Sequence, residues 1–154
     1  MQFRAEQYYK VSLERMNQAK ALYREGDAFS LTMYCAGLAV ESLLRAFRWT
    51  EDSSFEGRHD LSELLKASRL FRLDEEHMRD KGESEEAIYD SAVSLRVAMN
   101  DVVFLWHNNL RFASEATLKT YLLSIKRVQG VKGDPLKKNA LDLLEASQDR
   151  KSVV

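Results

Sequence analysis

The stretch from Phe29 to Trp49, FSLTMYCAGLAVESLLRAFRW, constrains this chain more than any other. Written as a helix, it carries Phe29, Leu31, Met33, Tyr34, Leu38, Val40, Leu43, Leu44, Phe47 and Trp49 round nearly its whole circumference. A helix that is apolar on most sides needs partners on most sides, so this one is expected at the centre of a bundle. Glu41, Arg45 and Arg48 make one polar stripe at i, i+4, i+7, with Glu41 ahead of Arg45 in the order that favours an ion pair. Ala36, Gly37 and Ala39 leave a low waist at mid-helix. A helical Gly costs about 1 kcal/mol against Ala, so close approach by another helix is expected to offset it.

The rest of the composition agrees with a helical protein. In 154 residues there are one Pro and six Gly, few breakers for a strand-and-turn fold and enough chain for one real core. The formal net charge of −1 exerts no global pull on nucleic acid or anionic membrane. Cys35 is the single cysteine, which excludes an intrachain disulfide and a Cys-rich zinc site; inside the apolar helix it reads as a small buried hydrophobe. The opening MQFRAEQYYK has no apolar run, so no secretory signal is expected there. The least polar run, Met33 to Val40, is too short to span a bilayer, so a cytoplasmic protein is the expectation.

Taken in order, the first helix is expected over about Arg4 to Glu25, with Tyr8, Tyr9, Ser12, Met16, Ala19 and Tyr23 on one face. Gly26 ends it and Asp27 is positioned to cap the next, making the two antiparallel neighbours. After Trp49, TEDSSFEGRHD reads as a loop, with Asp60 and Glu63 as a capping box for a third helix from Leu61 to about Phe71. Residues Arg72 to Glu86 read as a solvated connector with at most one helical turn. Ser84 caps a long fourth helix whose core face is Ile88, Ala92, Leu95, Met99, Val102 and Trp106. A second stripe, Tyr89, Val93, Arg96, Asn100, Val103 and His107, mixes apolar and polar groups as a partner surface does. Asn108-Asn109 is expected to break or kink this helix. A fifth helix starts near Ser114 and ends at Gly130 and Gly133; Asp134-Pro135 then restarts a short one through Leu136, Ala140, Leu143 and Leu144. That last helix packs on the bundle or on a second subunit, and the tail from Asp149 is expected to fray. The expected fold is all-α: an up-and-down antiparallel bundle of four to five helices over residues 1–130, with a C-terminal helical extension over 131–154.

Three segments in this order resemble the HEPN family of helical bundles. YCAGLAVESLLRA (Tyr34 to Ala46) is similar to that family's second helix, GRHDLSELL (Gly57 to Leu65) to the opening of its third, and LWHNNLRFASEATL (Leu105 to Leu118) to the break ending its long helix. The resemblance covers roughly Tyr8 to Val128. It implies a bundle that is often homodimeric, linked to nucleotide binding or RNA cleavage, and often paired with a minimal nucleotidyltransferase as toxin and antitoxin. Ribonuclease members carry an Arg four to six residues before a His at the helix break. Here the last Arg before His107 is Arg96, eleven positions back, roughly 16 Å along an unbroken helix. Arg72 and His77 have the spacing, but beside Glu75 and Glu76, which repel an RNA backbone.

The candidate ligand-binding residues are therefore Arg96, Asn100, His107, Asn108, Asn109 and Arg111. An imidazole can act as acid or base near neutral pH, a guanidinium can grip a phosphate with two parallel hydrogen bonds, and the asparagines offer amides to a base edge or ribose. The plain alternative is that the asparagines cap a kink, with His107 and Arg111 tying the break to nearby carbonyls. Arg96 and Asn100 would join His107 across a two-fold axis if two copies packed through the second stripe. His59 and Asp60 read as a helix-start cap, and Trp49 and Trp106 as core or interface anchors. No grouping has metal-ligand spacing and no cofactor motif is present. The leading expectation is a homodimeric, non-catalytic HEPN-like module binding nucleotide, RNA or a nucleotidyltransferase partner, with no membrane role. One alternative is a metal-independent endoribonuclease toxin, with His107 as acid/base and Arg96 or Arg111 stabilising the phosphorane. The other is a purely structural dimerisation protein.

Overall fold

The computed structural model describes residues 3–51 and 59–148, the side chains at 49–51 excepted. Trp49 as an anchor, most of the 50–60 loop and the tail from Asp149 thus lie outside the described residues. Within them the chain is all-α, with seven α-helices and one 3₁₀ helix: α1 (Ala5–Glu25), α2 (Phe29–Glu51), α3 (Leu61–Ser68), α4 (Leu70–Asp80), α5 (Glu85–Leu105), the 3₁₀ helix (Asn108–Phe112), α6 (Glu115–Ser124) and α7 (Pro135–Gln148).

α2 is the central rod. Met33, Ala36, Ala39, Val40, Leu43 and Leu44 are buried, and α1, α3, α7, the 3₁₀ helix and α6 all touch it. Of its apolar set, Leu31 remains exposed, at the edge of a groove against α1. Gly37 meets a side chain rather than another helix backbone. An ideal Cβ built there would lie 1.8 Å from Cδ1 of Trp106, whose indole N–H donates to the Tyr34 carbonyl at 3.1 Å. Gly26 ends α1 in the left-handed region, with φ 80°. Asp27 makes no capping bond to α2; instead Glu115, at the start of α6, accepts from the Ser30 amide at 3.3 Å. The cap is supplied across the bundle because α2 begins at Phe29, which puts Ala28 rather than Asp27 at the capping position.

The stretch after Asp60 differs most from expectation. Asp60 does cap α3, accepting from the Glu63 amide at 3.1 Å, but Glu63 turns its carboxylate to Lys66 and leaves the box half made. The third helix stops at Ser68. Arg69 enters the left-handed region (φ 55°), and the segment read as a connector forms α4, eleven residues long. Two causes account for it. Arg72–Glu76 and Glu75–Arg79 are i,i+4 ion pairs, which support a helix surface, while Leu70 and Asp74 are buried.

Ser84 caps α5 by accepting from the Ala87 amide, and Ile88, Leu95, Met99, Val102 and Trp106 are buried as expected. α6 ends at Ser124, earlier than Gly130. Lys126 (φ 60°) closes it, with the Arg127 amide donating to Leu122 O at 2.8 Å and the Lys126 amide to Leu123 O at 3.1 Å, a Schellman closure without glycine. Asp134 caps α7 through the Leu136 amide at 2.9 Å. α7 packs on its own bundle, against α1, α2, α5 and α6, with Ala140, Leu143 and Leu144 buried.

Candidate functional site

Two ends meet on one side of the bundle: the start of α3 and the break after α5. α5 stops at Leu105, the Trp106 indole is locked under α2, and His107 crosses to the 3₁₀ helix in an extended conformation. His59, Asp60, Leu61 and Ser62 face Val103, Trp106, His107, Asn108 and Asn109 across a groove of about 420 Å³.

His59 is held from behind. Its Nδ1 lies 2.8 Å from Glu41 Oε1, the same oxygen that accepts from Arg45 Nε at 2.8 Å. Glu41 is 2% exposed, and its Oε2 is buried without a hydrogen-bond partner among the described residues. A carboxylate accepts only, so the His59 proton sits on Nδ1 in the neutral ring and Nε2 is an acceptor. His107 has the opposite arrangement. Its Nδ1 accepts from the Asn109 amide at 3.0 Å, which leaves Nε2–H a donor in the neutral ring. The groove is therefore lined by one acceptor imidazole, one donor imidazole and Asn108, whose buried Oδ1 has no hydrogen-bond partner among the described residues. Tyr121 steadies the break, donating its hydroxyl to Leu105 O at 3.0 Å, and burial pushes that phenol above its ordinary pKa.

Of the residues singled out from sequence, His107, Asn108 and Asn109 line this groove and Arg96, Asn100 and Arg111 do not. The Arg96 guanidinium lies 4.3 Å above the Phe71 ring of α4, Asn100 is exposed on α5, and Arg111 lies 4.6 Å from the Phe112 ring. No Arg or Lys among the described residues lines the groove, whereas the Asp60 carboxylate does. Sequence reasoning missed His59 as a site residue and Glu41 as its support. The available signal was Glu41 itself: a carboxylate on the buried side of an apolar helix needs more than one partner, and Arg45 is only one. Among the described residues no group of three or more His, Cys, Asp or Glu is placed to hold a metal ion. No helix there is long and apolar enough to cross a membrane.

Cys35 is buried and free, and desolvation raises its thiol pKa, with Arg15 opposing weakly. Trp106 belongs to the core. Compared with family models, curated proteins and solved structures, the chain has no match.

Proposed function

We propose that this chain is a HEPN-like binding module that holds a nucleotide or a short stretch of RNA in the His59–His107 groove without cleaving it. One observation carries the reading: two imidazoles of opposite hydrogen-bond preference, His59 and His107, line a single groove together with Asn108 and Asn109. Arg96 and Arg111, the cations that phosphorane stabilisation would call on, sit against Phe71 and Phe112 outside the groove, which weighs against cleavage. In this reading the module works as a homodimer or beside a minimal nucleotidyltransferase, as the HEPN resemblance implies.

The test is titration calorimetry with the common ribonucleotides and a short single-stranded RNA. Micromolar binding that weakens in both Asn108→Ala and His59→Ala supports the reading; no heat with any of them up to millimolar concentration rejects it.

A second reading, the metal-independent endoribonuclease, is favoured by the Glu41–His59 bond. A carboxylate that orients one imidazole as acceptor opposite another that presents a donor suits acid–base work on a ribose 2′-hydroxyl. RNA cleavage in EDTA that disappears in both His59→Ala and His107→Ala establishes this second reading and removes the first.

A further inference from the structure

α5 turns a second apolar stripe away from the core. Tyr89, Val93, Val97 and Phe104 are 69, 44, 57 and 53% exposed. At 3.6 residues per turn they fall within about 80° of one another and run roughly 22 Å along the helix. Solvent-facing apolar side chains spread over this length, interrupted only by exposed Asn100 between Val97 and Phe104, mark a contact surface. Beside the row, α5 and α7 enclose an open groove of about 590 Å³, with Val93, Val97, Ala98 and Ala146 as its apolar lining. None of its lining residues lines the His59–His107 groove.

Charge selects the occupant. Asp101 and Glu145 line the α5–α7 groove, and neither is ion-paired among the described residues. Arg127 and Asp142 also line this groove and pair with each other at 3.1 Å, Lys138 Nζ taking the other oxygen of Asp142, so the lining carries three carboxylates against one guanidinium. The Lys138–Asp142 bond is the main cause of the raised Lys138 pKa, Glu145 contributing less. Asp90, exposed and three turns before Asp101 on the same flank of α5, extends the acidic edge. On the other flank Arg96 is stacked over Phe71. The row is thus apolar along its crest and anionic along the α7 side. Nucleic acid and anionic lipid are repelled by such an edge. A second copy laid on the same face by a two-fold axis brings like against like.

We propose that the α5–α7 face docks an amphipathic helix of another protein, with apolar residues along Tyr89–Phe104 and Lys or Arg over Asp90, Asp101 and Glu145. Such a helix satisfies both features at once, and its cations face Asp101 and Glu145, which have no ion-pair partner among the described residues.

The probe is a synthetic amphipathic peptide of about four turns, Leu on one face and Lys on the rest, together with its counterpart carrying Glu for Lys. Fluorescence anisotropy should show saturable binding of the Lys peptide alone. Affinity should fall roughly tenfold or more in Asp101→Lys/Glu145→Lys and in Val93→Ser/Val97→Ser, while Glu14→Lys on the exposed side of α1 changes nothing. Circular dichroism of these surface variants checks that each is folded. The inference is overturned if the Lys peptide does not saturate, if the Glu peptide binds as well, or if the face variants bind like the parent. It is also overturned if sedimentation shows a dimer that Val93→Ser/Val97→Ser dissolves, since the face then belongs to a second copy.

Discussion

At Gly37 the absence of one methyl group decides where an indole lies. Trp106 occupies the space a Cβ would take and spans from the α5 break to the backbone of α2. Gly37→Ala should therefore destabilise by about 1–3 kcal/mol through overpacking, despite the better helix propensity of Ala. Denaturant melts of the single variant against Gly37→Ala/Trp106→Phe check this; the smaller ring should recover part of the loss. Tyr121 gives a pH dependence. Burial raises its folded-state pKa, so the folded chain keeps the phenol proton after the unfolded chain has lost it. Its contribution is complete below the unfolded value near 10 and declines as pH rises beyond it. Tyr121→Phe should be less stable by about 1 kcal/mol at neutral pH, having lost the bond to Leu105 O. It should also show a shallower alkaline decline than the parent in denaturant midpoints.

At the scale of elements, much was legible because caps and periodicity are local. Ser84, Ser114 and Asp134 each accept the amide bonds their positions require, and the α5 core face is the one its spacing marks. The misses are non-local or lack the usual residue. Lys126 closes α6 in a conformation for which glycine is the customary signal. α4 arises from surface ion pairs over a narrow buried edge, which composition alone reads as a solvated connector. The α2 cap comes from Glu115, 85 residues away. Glu115→Ala should therefore cost about 0.5–2 kcal/mol, whereas Asp27→Ala should stay within about 0.5 kcal/mol; thermal melts of the two variants separate the alternatives. The candidate groove was half legible for the same reason. His107 to Asn109 stand out at a helix break, but His59 acquires its role only when tertiary packing brings it to Glu41.

Across the whole molecule, the turn from α6 to α7 is fastened by one buried amide. Asn139 is 1% exposed; its Nδ2 donates to Arg127 O at 2.9 Å and Pro135 O at 2.7 Å, and its Oδ1 accepts from Arg127 Nε at 3.0 Å. Asn139→Leu should cost more than about 2 kcal/mol, since it leaves buried carbonyls unpaired; the midpoint of urea unfolding measures it. This fastening positions α7 against α1, α2 and α5, so the seam of the central rod is completed by residues encoded late. While the chain emerges from a ribosome, Met33, Val40, Leu44 and their neighbours have no finished enclosure until Leu143 and Leu144 are outside the exit tunnel. Nascent bundles of this kind thus present a sticky flank to chaperones until α7 has been made, and docking of α7 is the event that withdraws it.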